Sequence, residues 1–199
     1  MKLFELLRPL DFLRISDREL RLSRWIFPLF FGLLLSAILL TLHYKTDYVL
    51  IHDGGYFERI LILLGVLPGF YIAALAAVAT LGHRQMDKIL PSAPTLPFPK
   101  RGKMVDMPLT KRQFISMLFA FLTLESMFLF LFLSISLPAK EIFVIFSSFW
   151  RSIFLTVFII IVNVALAQIV FLTMFGLYFL GDRIHRVTDS EADPSDIKS

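Results

Sequence analysis

The sequence predicts an all-α integral membrane protein with four transmembrane helices, both termini cytoplasmic and a short interfacial helix at the N-terminus. Three observations carry this. The 199 residues are 57% hydrophobic, with a mean hydropathy of +0.74. A soluble domain of this size cannot bury so much apolar surface. Four stretches reach the roughly 20 apolar residues needed to cross a bilayer, and they are continuous rather than alternating, which means helices and not barrel strands. Finally, Lys and Arg divide unevenly between the two sides those spans create.

The spans fall at about 25–42, 60–81, 113–137 and 152–180. One side carries Lys2, Arg8, Arg14, Arg18, Arg21 and Arg24 in the N-terminal arm. It also carries Arg84, Lys88, Lys100, Arg101, Lys103, Lys111 and Arg112 in the middle connection, and Arg183, Arg186 and Lys198 in the tail. The other side has Lys45, Arg59, Lys140 and Arg151. Sixteen cations against four place both termini and the middle loop in the cytoplasm by the positive-inside rule. The chain then divides into an arm at 1–24, a transmembrane domain at 25–182 with a cytoplasmic loop at 83–112, and a tail at 183–199. The expected location is the bacterial inner membrane. Trp25, Tyr44, Tyr56, Trp150 and Tyr178 lie near span ends, where amphipathic rings favour the interface.

Glu5, Arg8, Asp11 and Arg14 interrupt the first apolar residues, so no cleavable signal peptide is expected. Leu3, Leu6, Leu7 and Leu10 share a helical face, and Pro9 limits its length; an interfacial helix and an ordinary packed turn both fit. Ser16-Asp17-Arg18-Glu19 is a capping-box pattern that starts the first helix near Asp17. Thr110-Lys111-Arg112-Gln113 is a second, and starts helix three. Helix two is expected to run past Gly82 through Leu90. Pro91, Pro94, Pro97 and Pro99 then predict an extended strip, a spacer or surface-hugging loop. Ile142–Trp150 extends helix four, re-enters or lies in the interface. The polar tail from Asp189 to Ser199 reads as disordered, and Asp53-Gly54-Gly55 as a turn.

Glu125 is the most informative side chain. It falls at the middle of span three, where an ionised carboxylate costs several kcal/mol. It is 12 residues from Gln113, and Gln168 is 12 residues from Leu180, so both lie about 18 Å from one face of the membrane. A hydrogen bond between neutral Glu125 and Gln168 is predicted, within one chain or between chains. Polar glue between helices is the plain reading of that pair, and an ion or proton site the sharper one. Ser116, Thr123 and Ser134 share one face of helix three, while Glu125 lies about 200° away with Leu118, Phe121, Phe128 and Phe132. The Glu/Phe face is therefore expected to meet another subunit. In span two, Gly65, Gly69, Ala73 and Ala77 recur every four residues and predict a tight helix crossing, with Pro68 as a kink. Asn163 is expected to bond another helix.

No catalytic, cofactor or metal site is expected. There is no Cys, and no HExxH, GxSxG, Walker A or GxGxxG pattern. His43, His52 and Asp53 lack the spacing of a ligand set. The basic loop residues lie where anionic lipids attract each cation by about 1 kcal/mol, which explains them without nucleic acid; a cytosolic protein is the other partner they suit.

In length, four spans, cytoplasmic ends, proline-rich basic middle loop and the exit sequence Gly176-Leu177-Tyr178-Phe179-Leu180-Gly181-Asp182-Arg183-Ile184-His185-Arg186, the chain resembles the KwaA membrane subunits of the Kiwa bacterial anti-phage systems. The resemblance covers the chain in outline and carries over no functional residue. It implies a homo-oligomer, a tetramer, that detects phage attack in the inner membrane. It also implies a cytosolic DNA-binding partner, KwaB, that blocks phage DNA. A non-enzymatic sensor and scaffold in antiviral defence is the reading that follows. The alternatives are a pore-forming or depolarising effector of the holin or abortive-infection type, and a superinfection-exclusion protein or membrane anchor.

Overall fold

The computed structural model describes residues 8–15, 21–46, 50, 54–80, 87–89, 95–100, 103–138 and 148–190. Four long helices dominate it: α1 (Phe27–Thr46), α2 (Tyr56–Thr80), α3 (Lys111–Ser136) and α4 (Ser148–Ser190). A π-helical turn, Leu22–Ile26, leads directly into α1. A 3-10 helix, Arg8–Arg14, precedes it. Two strands, β1 (Thr95–Lys100) and β2 (Lys103–Pro108), lie between α2 and α3. Leu22–Thr46, Tyr56–Thr80, Lys111–Ser136 and Ser148–Leu180 are long and apolar enough to cross a membrane. The protein is an all-α, four-span, multi-pass membrane protein with one small hairpin added.

The helices pack as two antiparallel pairs, α2 with α3 and α1 with α4, and a smaller α3–α4 contact joins the pairs. Phe57, Ile60, Leu64, Tyr71 and Val78 form the buried face of α2. They meet a buried face of α3 that includes Ile115, Phe119 and Leu122. Most other apolar side chains remain outside, as lipid requires: Phe30, Ile62, Val66, Phe128 and Ile135 are all exposed. Helix α3 starts on the capping box. Thr110 Oγ1 accepts from the Gln113 N–H at 3.3 Å, and Gln113 Oε1 accepts from the Thr110 N–H at 3.2 Å. Gly54, at φ +78°, makes the turn before α2, and its N–H donates to Glu58 Oε2.

Several expectations are corrected. Of the proline strip, Thr95–Lys100 is a paired strand, with Pro97 opposite Asp106 and Pro99 opposite Met104, while Pro91 and Pro94 lie outside the described residues. Two-residue spacing puts both missing N–H groups on one edge of β1, and an edge is where a strand tolerates proline. Helix two does not extend through Leu90. Asp87–Ile89 have left the α-helix, Ile89 bridges to Thr110, and the Lys111 N–H donates to the Lys88 carbonyl. Helix α4 is already formed at Ser148–Trp150, so these residues extend it, and it continues to Ser190, so of the tail expected to be disordered Asp189 and Ser190 are helical. The expected interfacial helix on Leu3, Leu6, Leu7 and Leu10 falls largely outside the described residues; after it, Phe12 and Ile15 are buried against the bundle. The expected helix start near Asp17, residues 1–7, His52 and Asp53, 139–147 and 191–199 lie outside the described residues.

Candidate functional site

Polar groups inside the bundle sit between helices. Tyr56, at the start of α2, donates to Asn163 Oδ1 on α4 at 2.5 Å, and Asn163 Nδ2 donates to the Ile159 carbonyl at 2.9 Å. Asn163 therefore bonds another helix. Fifteen residues along α2, the buried Tyr71 hydroxyl lies 2.6 Å from Thr173 Oγ1. Thr173 donates to the Ile169 carbonyl, so Tyr71 is the donor in that pair. Tyr44 and Ser152 meet at 2.6 Å between α1 and α4. The two bonds from α2 link it to α4, a helix on which it does not mainly pack, and the third adds to the α1–α4 pair.

Glu125 and Gln168 do not bond to each other within the chain. Gln168 is buried on α4, while Glu125 Oε2 is buried with no hydrogen-bond partner. The two residues do stand at similar levels along the bundle. A Cβ on Gly176 would stand 2.9 Å from Leu118 Cδ2, and seven residues along each helix from that contact lie Glu125 and Ile169, the neighbour of Gln168. Equal depth does not choose neighbours, because α3 and α4 each pack mainly on a different helix.

The two faces expected on α3 also change. The inner half of the Glu/Phe face is covered: Leu118 lies against Gly176, and the Phe121 ring is 5.3 Å from that of Phe12. Only Phe128 and Phe132, further out, are exposed. Conversely, Gly65, Gly69, Ala73 and Ala77 make no tight crossing inside the subunit and are all exposed. A Cβ on Gly69 would meet nothing within 4 Å, and one on Gly65 only Phe130 at 3.6 Å. The close crossing is elsewhere. At Gly32 on α1 a Cβ would stand 2.6 Å from Val164 Cα on α4. Gly32-Leu33-Leu34-Leu35-Ser36 is itself a small-xxx-small pattern, the signal that points to it.

Lys111 and Arg112 do not join Lys88 on an open basic surface. Lys111 is 4% exposed. Arg112 is turned inward: its Nη1 donates to the Val78 and Ala79 carbonyls at the end of α2, and its Nε to Asp87 at 2.9 Å. A cation suits the carbonyl end of a helix. Lys88 is exposed. Lys100 and Lys103 are paired at the tip of the hairpin. Arg84 and Arg101 lie outside the described residues. One topological cation proves structural: Arg24, 6% exposed, donates from Nη1 to the Phe12 carbonyl at 3.0 Å. Its place beside Trp25 at the edge of span one was the available signal. Among the described residues no cluster of acidic and His side chains could hold a metal. Comparison with protein-family models, curated proteins and solved structures finds no match.

Proposed function

We propose that this chain is a non-enzymatic sensor and scaffold of the bacterial inner membrane. It assembles with copies of itself, as a tetramer, and docks a cytosolic protein at the end that carries the hairpin. Both termini and the hairpin face the cytoplasm in this reading, where the basic residues meet anionic lipid and the partner. Anti-phage defence, with a DNA-acting cytosolic partner of the KwaB kind, is the setting that the family resemblance suggests.

The observation that supports assembly is the outward stripe Gly65, Gly69, Ala73 and Ala77. Between helices in lipid there is no hydrophobic driving force, so association depends on close packing, and small residues permit it. The other close approaches, at Gly32 and Gly176, are used inside the subunit; the stripe on α2 is left for a neighbour. A depolarising pore is less well supported, because Asn163 is engaged by Tyr56 and Ile159.

The chain has no cysteine, so a single one reports cleanly. Gly69→Cys in native membranes is expected to give a disulfide-linked dimer, and Gly69→Leu to lower the assembled fraction at least tenfold in crosslinking. A Gly69→Leu protein that assembles like the parent would remove the α2 interface. Pull-down from native membranes tests the cytosolic partner, and ion leakage on overexpression would favour the pore.

A further inference from the structure

Three prolines fix which edge of the hairpin is open. In an antiparallel ladder, successive residue pairs alternate between exchanging hydrogen bonds with each other and turning those groups outward. Pro97 and Pro99 of β1 and Pro108 of β2 have no N–H to exchange. They stand opposite Asp106, Met104 and Thr95, at every second pair of the register. The inward bonds therefore belong to the pairs between them: Leu96 with Met107, Phe98 with Val105 and Lys100 with Lys103. The outward groups belong to Thr95, Pro97 and Pro99 on β1, and to Met104, Asp106 and Pro108 on β2.

The two edges are then unequal. Along β1 only Thr95 has an outward N–H, and the next two outward positions have none. Proline is a common device for closing an edge to further strands. Along β2, Met104 and Asp106 keep two consecutive outward N–H groups with their carbonyls, about 7 Å apart. Among the described residues the sheet has two strands, and no third pairs with β2. The Ile89–Thr110 bridge lies outside both strands, at the base.

Charge decides what suits that edge. Residues 95–108 carry Lys100, Arg101 and Lys103 against one acid, Asp106. A second copy's hairpin would bring the same positive excess, whereas an acidic strand is attracted. The hairpin leads directly into α3, whose Phe114 ring lies 5.4 Å from that of Phe179 on α4. It therefore stands at the end of the bundle where span four stops, at Leu180.

We propose that the outer edge of β2 is a strand-docking site that takes an extended acidic segment of the cytosolic partner as the third strand of the sheet. Backbone bonds to Met104 and Asp106 hold the segment, and the basic tip selects acidic sequence. The site rests on the scaffold reading for the source of the strand; the edge itself belongs to one subunit.

The probe is a synthetic hexapeptide of alternating Glu and Val with blocked ends, added to the full chain in lipid nanodiscs. It is expected to bind, and to slow hydrogen exchange at the Met104 and Asp106 amides, read by mass spectrometry. Met104→Pro removes one outward N–H and leaves the inward ladder intact; it should weaken binding by about tenfold. The same peptide with every amide N-methylated loses the bonds from its own side, with the protein unchanged, and should bind no better than Met104→Pro binds the parent peptide. Lys in place of Glu should also cost about tenfold. No binding by the parent, binding without protection of the two amides, or equal affinity for the N-methylated peptide would overturn the site. Protection of both amides before any peptide is added would give the edge to a second copy or to residues 191–199, and overturn the partner. Pull-down from native membranes separates the site from the scaffold reading. A cytosolic protein retained equally by the parent and by Met104→Pro keeps that reading and removes the strand site. Peptide binding as expected, with no protein retained by either, keeps the edge and removes the reading.

Discussion

Glycine meets two different surroundings in this protein. On α1, Gly32 lies so close to α4 that a single added carbon would stand 2.6 Å from a backbone atom of Val164. On α2, Gly69 faces open space, with nothing within 4 Å of that carbon. Both belong to rows of small residues four apart in sequence. Spacing tells where a helix permits close approach, and says nothing about which helix takes the offer. In this bundle α1 uses its row within the subunit and α2 does not.

Four substitutions test that contrast. Gly32→Ala should do the most damage, because the obstacle is backbone that must move as a unit. A loss of about 3 kcal/mol, the upper part of the usual overpacking range, is expected in unfolding from detergent micelles. Gly176→Ala meets the far end of the Leu118 side chain at 2.9 Å instead, which can rotate away. It should cost about 1 kcal/mol in the same measurement. Tyr56→Phe leaves the crossing intact and removes the donor to Asn163; about 0.6 kcal/mol is expected, the average worth of one such bond between membrane helices. Gly69→Ala should leave the unfolding of the isolated subunit unchanged to within about 0.5 kcal/mol, as for other open surface positions. A Gly69→Ala effect as large as that at Gly32 would erase the distinction between the two rows.

What was legible in the sequence was local or one-dimensional. The spans follow from hydropathy alone. The capping box at Thr110 and Gln113 is complete because its two bonds join residues three apart. The Gly54 turn is likewise contained in a few residues. What required a partner far along the chain was not legible. The hairpin was hidden by Pro97 and Pro99, which weaken a strand reading unless the strand lies at an edge, and every strand of a two-stranded hairpin does. Gln168 was at the right depth for Glu125 and still made no bond to it, because helix adjacency is set by packing. Arg24 and Arg112 counted correctly as charges at the hairpin end. Their inward turn, one to a carbonyl at Phe12 and the other to the end of α2, depends on three-dimensional neighbours that charge counting ignores.

Arg112 has a practical consequence. With its bonds to Val78, Ala79 and Asp87, together with the Ile89–Thr110 bridge, it fastens the two ends of the α2–α3 connection to each other at the base. The part beyond that fastening hangs from a closed loop. Doubling the length of such a loop costs only about 0.6 kcal/mol in closure entropy. The tip between Lys100 and Lys103 is therefore an attachment point: an epitope or a fluorescent domain inserted there should ride on the hairpin without reaching the helices, and would report on which side of the membrane that end of the protein lives.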